Sequence, residues 1–369
     1  MPPPERPLEL DDLLEEILLR LPPRPSSLPR AFLVCARWRR IISNPQFLKR
    51  FRAHHRTPQL LGFFVWDLVD LSFASALDPP DCIPAARFSM PQRCDDYWRF
   101  HGCRHGLVVL ITQARDAVII WDPPTNRQRR VAFPECFPGH HQHHCQNATV
   151  LCDAGEASHV HGDCYLSPFK LVLLRVDYNR CAHAYIYKSK YETWQSTVPS
   201  VPIPKGILVF TPSILVQNAL YWKLSEGTII ELDLQRHYLD VIQKPRNLCH
   251  PEYHFQILRT VENRLGLAIA SSESMGMELW ERRTNLHGVV EWVLEKTVEL
   301  DKILPHGTSS PVILHFIEDT NTILLSTNGC SYVFTIQLES MQCSYLGKKP
   351  YIIYYPYTNF YTGLEKVAK

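Results

Sequence analysis

No two glycines are adjacent in this sequence, and its 15 glycines are outnumbered by 29 prolines. A phosphate-cradling loop or a dinucleotide turn needs closely spaced glycines after a strand, and neither pattern occurs. The missing Gly-Gly pairs also argue against ordinary kelch blades. His-Glu-x-x-His and Gly-x-Ser-x-Gly are absent, which removes the metalloprotease and serine-hydrolase signatures. No catalytic residue and no cofactor is assigned. Apolar runs stay far below the roughly 18–20 residues that span a bilayer, so no membrane partner is expected. The opening "MPPPERPLEL" lacks the apolar core of a secretory signal. The 12 cysteines are therefore expected as reduced thiols in a cytoplasmic and/or nuclear chain. In that setting the glycosylation sequon Asn147-Ala148-Thr149 carries no meaning. A net charge of +2 supplies no global field for nucleic acid.

What is present looks globular: 45% hydrophobic and 21% charged residues over 369 positions. At about 100–200 residues per domain, two domains are expected. Charge is unevenly placed, because residues 1–56 hold ten arginines and one lysine against six acidic residues. Prolines collect in "DPP" at 78–80, "DPPTN" at 122–126 and "VPSVPIP" at 198–204. Such punctuation separates many short elements, more often strands than helices.

Residues 10–56 carry a helical period. Leu13, Leu14, Ile17, Leu18 and Leu21 share one broad helix face. Asp11 or Asp12 suits the N-cap, Glu15 and Glu16 favour the first turns, and Pro22-Pro23 stops the helix. A second helix starts at Ser26 or Ser27, with a stripe of Leu28, Ala31, Phe32, Cys35 and Trp38. It continues or bends through Ile41 and Ile42, and Asn44-Pro45 ends it. Phe47, Leu48 and Phe51 form a last short apolar cluster. A segment this small makes only a marginal core. Its apolar surface exceeds what three short helices can hide among themselves. A covering partner is the simplest answer, and packing on the neighbouring domain is the alternative.

After residue 57 the pattern becomes one of strands. Apolar strands begin at 59, 105, 169, 218, 264 and 321, in "QLLGFFVWD", "HGLVVLIT", "FKLVLLRVD", "NALYWKLS", "RLGLAIAS" and "NTILLSTN". A hairpin-like pair follows each of the last five, as in "AVIIWDPPTNRQRRVAF". Six serial units of this kind suggest propeller blades, with a large β-sandwich as the alternative. The tyrosine-rich "YIIYYPYTNFY" at 351–361 is read as a last strand that closes the domain.

These residues resemble a known family. "DDLLEEILLRLPPRPSSLPRAFLVCARWRRIISNPQFLKRF" is similar to an F-box over residues 9–51, although Glu9-Leu10 stands where F-boxes usually open with Leu-Pro. The ordered pieces "CRHGLVVL", "IIWDPPTNRQRRVAFP", "HGDCYLSPFKLVLL", "AYIYKSKYETWQS" and "FTIQLESMQCSYLG" resemble the F-box-associated β domains of plant F-box proteins, above all those of grasses. The expected fold is α+β. Residues 1–8 form a disordered N-terminus, 9–56 a three-helix F-box, and 57–369 a large all-β, propeller-like domain of about six repeats.

The resemblance implies a non-catalytic, substrate-recognition subunit of an SCF-type cullin–RING ubiquitin ligase. The F-box would bind a Skp-type adaptor and through it cullin, and loops on one rim of the β domain would hold an unknown protein substrate. The adaptor contacts carried over are Leu13, Leu14, Ile17, Leu18, Pro22, Val34, Cys35 and Trp38. The alternative is a protein-interaction scaffold outside any ligase. Arg37, Arg39 and Arg40 could touch phosphates, but no basic patch recurs downstream, and no nucleic-acid partner is assigned. The stretch "GHHQHHCQNATVLCDAGEASHVHGDC" at 139–164 holds enough donors for zinc but no standard pair spacing. It is read as an exposed inter-blade loop with no metal assigned. Trp194, Trp222, Trp280 and Trp292 are expected in the core.

Overall fold

The computed structural model describes all residues except 1–10, 67–70, 91–97, 113, 115, 136, 138–144, 154–160, 163, 196–197, 205, 207–210, 246–252, 272–274, 328, 330–331, 349–352 and 365–369. The N-terminal stretch expected to be disordered, and Glu9-Leu10, therefore lie outside the described residues.

Four helices open the described chain. α1 (Asp11–Leu19) starts with Asp11 and Asp12 in its first turn, where the helix dipole favours acids. The second expected helix is two. α2 (Ser27–Phe32) and α3 (Ala36–Ile42) are parted by Cys35, whose backbone is extended at φ −162° and ψ 171°. The last apolar cluster is a full helix, α4 (Pro45–His55), with Pro45 in its first turn and the Asn44 side chain accepting from Gln46 N at 2.9 Å. The helix count thus corrects the expected three. Leu14, Leu18, Leu28, Ile42, Phe47 and Phe51 meet in one buried cluster.

Six antiparallel sheets follow, and they form the blades of a propeller. Blade 1 has the order β2-β1-β24, joining β1 (Gln59–Trp66), β2 (Leu71–Ser75) and the last strand of the chain, β24 (Ile353–Asn359). Blade 2 runs β3 (Trp98–Arg104), β4 (Leu107–Thr112), β5 (Ala117–Asp122) and β6 (Arg127–Ala132). Blade 3 runs β7 (Cys145–Cys152), β8 (Phe169–Val176), β9 (Cys181–Lys188) and β10 (Thr193–Gln195), with β11 (Val201–Pro202) also on β9. Blade 4 holds β12 (Ile214–Val216), β13 (Ala219–Lys223), β14 (Thr228–Asp233) and β15 (Tyr238–Gln243). Blade 5 holds β16 (Tyr253–Arg259), β17 (Leu265–Ser271), β18 (Gly276–Thr284) and β19 (Val290–Glu299). Blade 6 holds β20 (Val312–Ile317), β21 (Thr322–Thr327), β22 (Tyr332–Gln337) and β23 (Cys343–Lys348).

The strands nearest the axis are β24, β3, β7, β12, β16 and β20, which neighbour one another around most of the ring. The tyrosine-rich segment therefore does close the domain, as the inner strand of the blade that the chain began. Tyr357 seals this seam. Its hydroxyl donates to Gly106 O at 3.1 Å and accepts from Asn359 Nδ2 at 2.9 Å. Gly106 is required there, because its φ is +76° and a Cβ would lie 2.6 Å from Asn359.

The helices sit on this same end. Ser26 N donates to Asp81 at 3.0 Å, and Leu364 beyond β24 packs on the helical core. Asp81 is held below the ordinary carboxylate range: burial works against this, but bonds from Ser26 and the charges of Arg24 and Arg30 prevail.

Candidate functional site

The eight residues singled out in the helices divide by burial. Leu14 and Leu18 are 0% exposed and form part of the helical core, so they present no surface to a partner. Leu13 (44%) and Ile17 (41%), one turn apart on the outer side of α1, are exposed. Val34 (60%), Pro22 and Cys35 are also exposed, and Trp38 is half-buried. The sequence reading missed Leu33, 74% exposed at the end of α2. The break between α2 and α3 turns it outward, and an unbroken helical period hid that break.

Charge frames this face. Asp11 accepts from Arg37 Nε at 2.6 Å and from Arg40 at 2.9 Å, and these guanidiniums hold its carboxyl below the usual range. The pairing ties the start of α1 to α3, beside Leu33, Val34 and Cys35. Arg50 in turn bonds Glu15 and Glu16 at 2.5 and 2.8 Å. Of the arginines that suggested phosphates, Arg37 and Arg40 are thus paired with Asp11, and Arg39 lies over the Phe32 ring at 5.2 Å.

Among the described residues, the propeller axis holds a buried polar network. Arg104, 6% exposed, donates to Glu318 at 2.8 and 3.0 Å, to Thr149 at 2.7 Å and to Ser213 O at 2.7 Å. One side chain thereby links blades 2, 3 and 6 to the entry of blade 4. The cavity left beside it measures about 40 Å³ and is lined by Gln256, His315, Asp319 and Thr358 among others. Burial, with Lys223 nearby, pushes His315 down to about 4. Burial also lifts the Asp319 carboxyl, against a bond from the Thr358 hydroxyl. That volume is well below the roughly 300 Å³ or more of a small-molecule pocket.

The family model described as "F-box protein AT5G49610-like, beta-propeller" matches residues 99–344, and the F-box domain model matches residues 10–50. The chain belongs to this family of F-box propeller proteins. No curated relative matches. Among solved structures, the extracellular domain of the putative one component system BT4673 from B. thetaiotaomicron is 12% identical at a TM-score of 0.36. The alignment covers 79% of this chain and 30% of that one. Apo AztD from Citrobacter koseri is 12% identical at a TM-score of 0.35, covering 70% and 74%. At those scores neither carries an argument about this chain.

In this F-box propeller, outer-strand tryptophans staple neighbouring blades. Trp194 Nε1 donates to Ala132 O at 2.8 Å, and Trp292 Nε1 donates to Gln243 O at 2.8 Å. Each acceptor is the last residue of the preceding blade's outer strand. Trp222 is fully buried and donates to Asn147 Oδ1 at 3.2 Å. Asn147, the sequon asparagine, is itself 1% exposed, so the folded chain offers it to no glycosyl transfer. Trp194, Trp280 and Trp292 are half-buried rather than core residues, because each sits on or near a blade's outer edge. Beyond the helices, exposed apolar side chains gather at the β18–β19 hairpin tip: Leu286, Val289 and Val290. Among the described residues no helix is long and apolar enough to cross a membrane.

Proposed function

We propose that this F-box propeller is the substrate-recognition subunit of an SCF-type cullin–RING ubiquitin ligase. The helices dock on a Skp-type adaptor and so on cullin, and the propeller holds the protein to be modified. The observation that carries this reading is the apolar face of Leu13, Ile17, Leu33 and Val34, bare beside a core that the helices have already completed. Several exposed large aliphatics on so small a helical module support an interaction surface there. The family supports the partner, since the F-box is its adaptor-binding module. The chain does no bond chemistry in this role. It raises the local concentration of target lysines near a charged conjugating enzyme.

The test is reconstitution. The full chain is mixed with Skp-type adaptor, cullin and RING protein, and its complex is isolated by size exclusion. A version lacking residues 1–56 is run beside it. Co-elution of the full chain alone with the adaptor is expected. Failure of the folded full chain to bind any Skp-type adaptor overturns the reading.

A further inference from the structure

The histidine- and cysteine-rich stretch is not one loop. Its middle, Cys145–Cys152, is β7, the inner strand of blade 3. The strand brings Cys152, at its end, together with two later members of the stretch. Cys152 ends β7, while His161 and Cys164 lie on the long connection that returns to β8. The ligand atoms of Cys152, His161 and Cys164 all lie within 4.8 Å of one another. His161 Nδ1 stands 3.4 Å from Cys164 Sγ. Tetrahedral zinc, with bonds of about 2.3 Å to sulfur and about 2.0 Å to nitrogen, sets those two atoms about 3.5 Å apart. Two thiolates with one imidazole are a soft donor set, which selects zinc over magnesium or calcium.

The surroundings are built as well. Cys164 is 2% exposed, packed with Val150 and Phe169 in the core of blades 2 and 3. The His161 ring stacks on His105 of the β3–β4 turn, with centroids 3.6 Å apart. Gly162 follows, at φ +126°, so close to α4 and the chain end that a Cβ would lie 3.1 Å from Arg52 Cδ and 3.3 Å from Phe360.

We infer that Cys152, His161 and Cys164 are ligands of a zinc site that pins the β7–β8 connection across the seam between the F-box and the propeller. The site is structural. It stands whether or not the chain serves a ligase.

The full chain is purified under reductant, exposed to zinc, and passed into metal-free buffer for elemental analysis. About one zinc per chain is expected. Cys152→Ser and Cys164→Ser each lose it. His161→Cys, which keeps a donor, retains it. Cobalt substituted for zinc in the unaltered chain shows tetrahedral visible bands and sulfur-to-cobalt charge transfer, and the latter strengthens in His161→Cys. The cobalt spectrum needs no substitution, so it stands even where a serine variant misfolds. Absence of metal from the unaltered chain, bands without sulfur charge transfer, or unchanged zinc in a folded Cys152→Ser/Cys164→Ser double variant overturns the site. So does a Cys152–Cys164 disulfide that persists under reductant in place of metal.

Discussion

The second strands of the propeller bury both faces: every residue of β4 and β21 is buried, and all but the last of β13 and β17. The F-box helices divide their apolar residues instead, with Leu14 and Leu18 inside and Leu13 and Ile17 out on the same helix. A blade between two others hides apolar side chains on each side. A four-helix layer resting on one end of that ring has only one side covered by its own chain. Apolar residues on its free side are those the proposed adaptor would cover, while the buried ones of the blades' second strands serve stability.

Substitutions can break that contrast, and the largest effect belongs in the propeller. Trp222→Ala is expected to cost about 3–5 kcal/mol by opening a cavity. It also leaves the buried Asn147 oxygen without its donor. Urea denaturation measures this, and a loss below about 1 kcal/mol would show that blades 3 and 4 do not share a tight core.

In the F-box, Leu18→Ala is expected to cost about 2–5 kcal/mol, whereas Ile17→Ala next to it stays within about 0.5 kcal/mol. Equal losses at the two sites would erase the inside–outside division on α1.

The axis adds a pH dependence. His315 titrates near 4 in the folded chain, below the ordinary histidine value of about 6.5. The unfolded chain then binds the extra proton first, so stability is full above about pH 6.5 and falls as pH drops toward 4. The loss is on the order of 3 kcal/mol. The buried Asp319 carboxyl, raised above its ordinary range, contributes with the opposite sign as pH falls from its raised value toward the ordinary carboxylate value. The readout is accordingly the difference in urea midpoint between the unaltered chain and His315→Gln across that window. Parallel curves would contradict a buried neutral imidazole.

Trp292→Phe, which removes one inter-blade hydrogen bond at a half-exposed site, is expected to cost about 1 kcal/mol. A loss as large as that of Trp222→Ala would mean that the outer edges, not the inner layers, hold the ring together.

The helical segment was legible because its period and stops are local: Asp11 to Pro22 reads as one helix, and α1 forms over Asp11–Leu19 of it. Its break at Cys35 was not, since Leu28 to Trp38 keeps an unbroken stripe across it. In the propeller, the six units were found at the right count but entered one strand late in blades 2–6. Starts at 105, 169, 218, 264 and 321 mark β4, β8, β13, β17 and β21, the second strands. Their predecessors face the axis and carry buried polar groups, such as Arg104, Asn147, Thr149, Gln256 and His315, which blur the apolar signal. β7 was hidden most completely, inside a run of histidines and cysteines that reads as loop. The outward turn of Leu33 and the convergence of Cys152 with His161 and Cys164 depend on tertiary placement, which spacing alone does not encode.

The central claim is that the bare side of the F-box is an adaptor interface. Its most direct measurement is the Kd of the full chain for a Skp-type adaptor, with and without Leu13→Asp, Ile17→Asp and Val34→Asp combined, on protein whose circular dichroism shows unchanged folding. Interface anchors worth about 2–4 kcal/mol predict a Kd weakened by at least roughly 30-fold. An unchanged Kd in the folded triple variant would contradict it.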